Sequence, residues 1–416
     1  MIVDRLAPQA RFLCSCACSI VLLPLAAQSA AAQPTEEPQQ IEQLQKRVDE
    51  LEAQVKALQA QADSEEKRQA DAAAESTREG AEGMRDMLTP LGLGALQIRG
   101  FNDIDFRTFR AGGQVNTFSL GQLDLFLSSR LGSDFSTLGE IVFEADDTNG
   151  LEVDVERFLL QYSPNDRISV AGGRFHTAIG YYNTAYHHGN WFQAATGRPF
   201  IFRFEDDGGI LPVHGVGLTV QGQIPSGAAG LRYVGEISNG RRSRSPDDEP
   251  VQNVEDENAH KAVNVALLSR PTGIPGLQAG VSVYRDRLER AAQPTIDETI
   301  VAAHLVYQVP LFEQLNEAIF IRHTPADTRA TATTSSFYSQ ISRQFGRGRP
   351  YFRYEFLDVP NSELVFANQI GRSYGPTVGL RIDAAPPVAI KLEYTRLTGS
   401  IETQTNGFTL QFAFVF

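Results

Sequence analysis

From about Ala95 to the last residue, apolar and polar side chains alternate with period two, the pattern of strands that bury one face. The first run is LQIRGFNDIDF, followed by SLGQLDLFLSSRL, LGEIVFEA and LEVDVERFLLQYS, and the last is FTLQFAFVF. About sixteen such runs can be marked off by turn signals. Leu123, Leu125 and Leu127 alternate with Gln122, Asp124 and Phe126. Phe352, Tyr354 and Phe356 alternate with Arg353 and Glu355, and Val388, Ile390, Leu392 and Tyr394 with Ala389, Lys391, Glu393 and Thr395. The links alternate as well. LGSDFS, SPND, PSG, PTGIPG, VPLFEQ, GRGR and AAPP are tight and rich in turn-forming residues. Between them lie longer polar links at 176–213, 239–260, 286–297, 324–334 and 359–372, while two early ones, near 110–117 and 147–150, are short.

Short links at one end and long links at the other predict an all-β transmembrane barrel of about sixteen antiparallel strands over residues 95–416. A soluble sandwich has no reason to sort its links this way. The polar face carries opposed charges, which suits a wet interior, and only every second residue meets lipid. Mean hydropathy therefore stays at −0.23 although 21% of residues are charged. Lipid forbids an open sheet edge, so the sheet is expected to close. Around sixteen strands leave a channel, whereas eight fill with side chains. In the closing strand, Phe408, Leu410, Phe412, Phe414 and Phe416 are expected to face lipid, with Thr409 and Gln411 facing the interior.

The N-terminal segment before residue 95 follows other periods. Arg5 and Arg11, the apolar run SIVLLPLAA and the small residues AQSAAAQ predict a secretory signal peptide over 1–32. The run is too short for a retained membrane anchor. Ile41, Leu44, Val48, Leu51, Val55 and Leu58 are spaced as a heptad seam. That predicts an α-helical coiled coil within 33–79, on the periplasmic side, which would join copies of the chain; a solvated helix packed on its own barrel is the alternative. Gly80 and Gly83 open a linker over 80–94.

Composition then narrows the partners. All three cysteines (Cys14, Cys16, Cys18) lie in the signal segment, so no disulfide framework holds the exported chain. Removing residues 1–32 takes away two Arg and one Asp from 37 basic and 50 acidic residues, leaving a net −14. No basic footprint for nucleic acid is present.

FTLQFAFVF, alternate apolar residues ending in Phe, resembles the assembly signal of bacterial outer-membrane porins, which the barrel assembly machinery reads. A coil before a barrel resembles the porins with a periplasmic coiled coil. LQIRGFNDIDF and AGGRFHTAIG resemble the first strand and a mid-barrel segment of phosphate-selective O/P-type and DcaP-like porins. The resemblance implies a homo-oligomer, normally a trimer, that passes small solutes. No basic ladder is present to carry over phosphate specificity.

Candidate chemistry centres on the longest link, 176–213, with Tyr181, Tyr182, Tyr186, Trp191, Phe192, Phe200, Phe202 and Phe204. So many aromatics favour burial over solvent. The segment is read as a loop folded into the barrel, with Arg198, Arg203, Glu205, Asp206 and Asp207 as pore-facing charges; an external cap is the alternative. Inward positions of early strands offer Asp103, Asp105, Asp124, Glu140 and Glu144, and those of late strands Arg353, Arg381 and Lys391. These predict an acidic and a basic wall sector whose field would orient dipolar solutes, interrupted by Arg99, Arg107, Glu355 and Glu393. His176, His187, His188 and His214 cluster near the same loop, but their spacing lacks a helical i, i+4 metal pair, and no metal or cofactor is expected. The 239–260 link, with three Arg and six acids, is read as an exposed loop able to bridge divalent cations to lipopolysaccharide. No hydrolase, nucleotide or redox motif occurs; His304 is the lone candidate for a barrel hydrolase. The reading is a passive channel rather than an enzyme, with a barrel hydrolase or a structural anchor to periplasmic partners as alternatives.

Overall fold

The computed structural model describes residues 94–416 apart from 110–115, 146–149, 187–188, 204–208, 243–250, 253–254, 257, 291–292, 368–369 and 400–404, together with Lys46. The chain divides into two compact units, Met1–Ala81 and Glu82–Phe416. Lys46 is helical and exposed. The signal segment, the seam residues and the linker glycines lie outside the described residues.

The second unit holds eighteen strands among its described residues: β1 (Gln97–Phe109), β2 (Thr117–Leu131), β3 (Phe135–Ala145), β4 (Leu151–Asn165), β5 (Ile168–His176), β6 (His214–Gln223), β7 (Leu231–Ser238), β8 (Arg241–Arg242), β9 (Val251–Gln252), β10 (Ala262–Ser269), β11 (Leu277–Arg290), β12 (Gln293–Val309), β13 (Phe312–Pro325), β14 (Ala332–Arg343), β15 (Gly348–Asp358), β16 (Arg372–Ala385), β17 (Val388–Gly399) and β18 (Thr405–Val415). Sixteen of them form one closed antiparallel barrel, each paired with its neighbours in sequence, while β8 and β9 pair with each other outside it. Closure joins β1 to β18 in the register Phe101↔Val415 to Phe109↔Gly407. The main chain of Phe416 exchanges two hydrogen bonds with Gly100, at 3.0 and 3.1 Å. The Phe416 ring lies over Gly100, where a Cβ would fall 2.2 Å from its Cζ, so a larger residue would have to push the ring aside.

The faces follow the alternation. Phe352, Phe408, Phe412 and Phe416 are exposed on the outer face, while Arg353, Glu355, Lys391, Glu393, Thr409 and Gln411 are buried on the inner one. A bulge between β3 and β4, at Glu140/Ile141, inserts Glu156 between the paired residues Val155 and Arg157. It breaks the strict period there.

The sorted link lengths hold with one correction. The link expected at 286–297 is strand to within two residues: β11 and β12 continue to Arg290 and from Gln293. Asp286, Leu288, Ile296 and Glu298 remain buried inward, while Arg287 and Asp297 pair across the strands at 2.9 Å on the other face. Beyond the apolar belt, outward positions turn polar, so the hairpin resembles a loop in sequence. The 239–260 link is also corrected in part. Arg241 was expected in an exposed loop, yet it is 1% exposed because its guanidinium is consumed by buried acceptors.

Candidate functional site

The link between β5 and β6 turns into the barrel and packs on its inner wall. Ile179, Tyr182, Tyr186, Ile201, Phe202, Ile210, Leu211 and Val213 of the link form one apolar cluster with Ile300, Ala302, Val306, Leu315, Ile319, Ile321, Tyr338 and Leu357 of β12 to β15. Tyr182 and Phe202 stack at 5.3 Å. The interior of this sector is thus an apolar core rather than a wet wall. Both faces of β12 are largely apolar, TIVAAHLV, because one faces outward and the other meets the loop.

The loop's main chain is held by wall side chains. Glu317 accepts from the amides of Tyr181 at 2.5 Å and Tyr182 at 2.9 Å, and from the Tyr338 hydroxyl at 2.6 Å. Gly180, at φ 73°, turns the chain so that both amides meet this carboxylate, and a Cβ there would fall 2.4 Å from it. Glu236 accepts from the Ala178 amide at 3.0 Å, Glu393 from Thr196 at 3.1 Å and Glu355 from Phe200 at 2.9 Å. From the other sign, Arg353 donates to Gly197 O at 2.9 Å, and Arg381 donates to Gln193 O at 3.0 Å and also to Trp191 O. Lys391 donates to Ala195 O at 2.7 Å and also to Asn190 O. Gln411 reaches Thr196 O at 3.0 Å, so it faces loop backbone rather than water. The neck is closed by Asn183, which donates to Thr177 O and Val213 O, both at 2.9 Å. Charge-assisted bonds of this kind are the stronger class.

The expected wall charges therefore have two fates. Asp103, Asp124, Arg353, Arg381 and Lys391 engage the loop; Asp103 is bonded by Asn190 and Asp124 by the Gly189 amide. Asp105 pairs with Arg107, Glu140 with Arg157 and, at 3.7 Å, His176, and Glu144 accepts from Gln122 at 2.7 Å. The basic sector is not a bare ladder facing water, because loop carbonyls occupy it. Of the charges expected on the loop, Arg198 turns back on it, donating to Phe202 O and lying 5.5 Å from the Tyr182 ring. Arg203 is exposed, 4.1 Å from the Phe200 ring. Glu205, Asp206 and Asp207 lie outside the described residues, as do His187 and His188. His176 and His214 are register partners with rings 5.5 Å apart, and His214 contacts Glu156. Among the described residues, no group of three or more His, Cys, Asp or Glu side chains is arranged to hold a metal ion. His304 lies against Gly280, its ring 5.7 Å from that of Tyr181.

A second buried network ties three links to the wall. Arg241 donates to Ile210 O at 2.5 Å and to Glu298, and its amide donates to Asp286 at 2.9 Å. His323 lies between Glu298 at 2.7 Å and Glu363 at 2.6 Å. Glu363 accepts from the Val365 amide at 3.0 Å and from that of Phe366. Burial alone would raise the Glu363 carboxyl, but the bond to His323 and these amides hold it below the ordinary value.

Sequence reasoning missed Glu236, Glu317 and the Arg241–Glu298–His323–Glu363 network. A lone acid in an apolar strand, such as Glu317 in EAIFI, was the available signal. Its partners are backbone amides, which carry no sequence signature.

No protein-family model matches the chain, and no curated sequence matches it. Solved structures do resemble it in fold. The outer membrane channel DcaP of Acinetobacter baumannii is 12% identical, with 78% of this chain and 98% of that one covered, at a TM-score of 0.56. The anion-selective porin from Comamonas acidovorans is also 12% identical at 0.56, over 78% and 100%. The trimer form of OmpT, an outer membrane protein of Vibrio cholerae, is 11% identical at 0.50, over 78% and 99%. The barrel, with its inward loop, is thus built on the fold of the outer-membrane porins.

Proposed function

We propose that this chain is an outer-membrane porin, a channel for passive diffusion of small hydrophilic solutes and not an enzyme. The observation that carries the reading is the inward loop. An exported barrel with an apolar outer belt fastens a 37-residue link inside itself by both signs of wall charge. Such an arrangement narrows a passage and fixes its shape. On this reading the long links face outward and the short turns face the periplasm. On the same reading the coil expected at 33–79 is periplasmic and joins three copies. The trimer form of the Vibrio cholerae neighbour supports an oligomer. Residues 1–32 are then the removed signal, and FTLQFAFVF is read by the assembly machinery. Lipopolysaccharide packs around the belt.

Planar-bilayer recording tests this. Purified full-length protein should give discrete conductance steps in KCl. Folded protein that inserts without conducting would overturn the channel reading and favour the structural anchor.

A further inference from the structure

The outer face shows a sharp edge on β11 to β13. One row in register is Val265, Val283, Val301, Phe320 and Ser335, with the four apolar members exposed. The next row toward the long-link end is Val263, Arg285, Thr299, Arg322 and Thr333. Arg285 and Arg322 are exposed, while their strand neighbours Tyr284, Asp286, Ile321 and His323 are buried inward. Two apolar neighbours thus give way in one step to two arginines flanking a threonine.

The height fits a membrane boundary. Thr299 lies eight residues along β12 from Tyr307, whose ring sits 6.1 Å from Phe312 at the other end. Eight residues span about 26 Å along a strand. Tilted as barrel strands are, that is about 20 Å across the membrane, against an apolar band about 25 Å tall. The arginine row therefore stands about 5 Å short of the far edge of such a band, a distance that an arginine side chain can span to reach the headgroups.

Partnering separates these two arginines from their surroundings. Arg287 is paired with Asp297 at 2.9 Å and lies 3.0 Å from His260, Arg329 faces Asp297 at 3.7 Å, and Lys261 is paired with Asp256. Glu289 is the remaining acid of this corner of β11. Among the described residues, neither Arg285 nor Arg322 has a hydrogen-bond or ion-pair partner. Two strand spacings put their Cα atoms roughly 10 Å apart. Both guanidinium groups can then close on one tetrahedral anion above Thr299, with the hydroxyl as a third donor.

We propose that Arg285, Thr299 and Arg322 form a binding site for a phosphate carried by an outer-leaflet lipid headgroup, whose acyl chains lie along Val283, Val301 and Phe320. The site rests on the outer-membrane reading above, but its charge is matched directly by arginine and not through a bridging cation. It would fix one lipid to this sector of the barrel.

The test is native mass spectrometry of the full-length detergent-solubilised protein titrated with a bis-phosphorylated glucosamine lipid. The same lipid stripped of phosphate is the comparison. Wild type should retain one phosphorylated lipid at least 10-fold more tightly than the stripped form. The double variant R285Q/R322Q should lose that preference, whereas R287Q should change it less than 2-fold. Equal retention of both lipids, or an unchanged preference in the double variant, overturns the site. Competition by inorganic phosphate at concentrations equal to the lipid's would also overturn it, because the acyl contacts would then contribute nothing. Bilayer conductance of the same preparations keeps the two readings apart. Conductance without lipid preference refutes this site alone, and preference without conductance refutes the channel alone.

Discussion

Glu317 is the sharpest point at which to test how the inward loop is held. Replacing it with Ala removes the acceptor of three hydrogen bonds, from the amides of Tyr181 and Tyr182 and the hydroxyl of Tyr338. Net losses of about 1.5–3 kcal/mol are usual for each bond to a charged group. Water admitted to the gap recovers part of this, so about 3–6 kcal/mol should be lost from loop docking. The sheet itself is untouched, because Glu317 gives no main-chain bond of the β12–β13 or β13–β14 ladder a new partner. A loss of 3 kcal/mol raises the undocked population about 100-fold. The bond after Phe202, a fully buried aromatic, reports that population. Where opening is fast relative to cleavage, chymotrypsin nicking should rise by the same factor. Single-channel records should show a larger and noisier open state. Far-ultraviolet circular dichroism should remain that of an intact barrel. An intact barrel with nicking and current noise within 2-fold of wild type would refute the view that Glu317 holds the loop.

Lys391→Met leaves Asn190 O and Ala195 O without their buried donor, and should loosen the loop tip by about 2–4 kcal/mol, read as faster amide exchange over residues 190–197. Phe202→Ala removes a fully buried ring from the loop cluster and should cost about 3–5 kcal/mol in thermal unfolding. Deleting Phe416 removes its two bonds to Gly100 and the ring over it, so the yield of closed, heat-resistant barrel should fall several-fold. The Glu363 carboxyl is held below its ordinary value in the folded chain, so its contribution is complete above the unfolded pKa, about 4.3, and is lost as pH falls through the lower folded value. His323 faces it and contacts Glu298 with its other ring nitrogen. Amide protection at Val365 and Phe366 should therefore drop as pH falls below about 4.3, a drop that Glu363→Gln should flatten.

The barrel was readable because period-two alternation and sorted link lengths are carried by the strands themselves. The inward and outward sets at 122–127, 352–356 and 388–395 lie where alternation puts them. The reading failed where the outer solvent changes: Arg287 and Asp297 look like loop residues because that part of the hairpin stands clear of the apolar belt. At Glu156 a bulge adds a residue that no period announces. The wall charges were found, but not most of their partners. Arg353, Arg381 and Lys391 suggested a field facing water, whereas their acceptors are carbonyls of a segment about 200 positions away or more for Lys391 and somewhat fewer for the other two. Backbone groups are the same at every residue, so only the fold reveals which of them a side chain meets.

The seam between β1 and β18 constrains how such a gene can change. Going once round the wall, all the hairpin offsets must add up so that Phe101 returns opposite Val415. Adding one residue inside a strand would turn the rest of that strand to the wrong face unless a bulge, like the one at Glu156, absorbs it. Length variation among descendants of this chain should therefore collect in the links, with 326–331 free to lengthen or shorten. Strand-length changes should survive only at bulges or in compensating pairs. The fold itself tolerates very different sequences, as identities near one in ten with its structural neighbours illustrate.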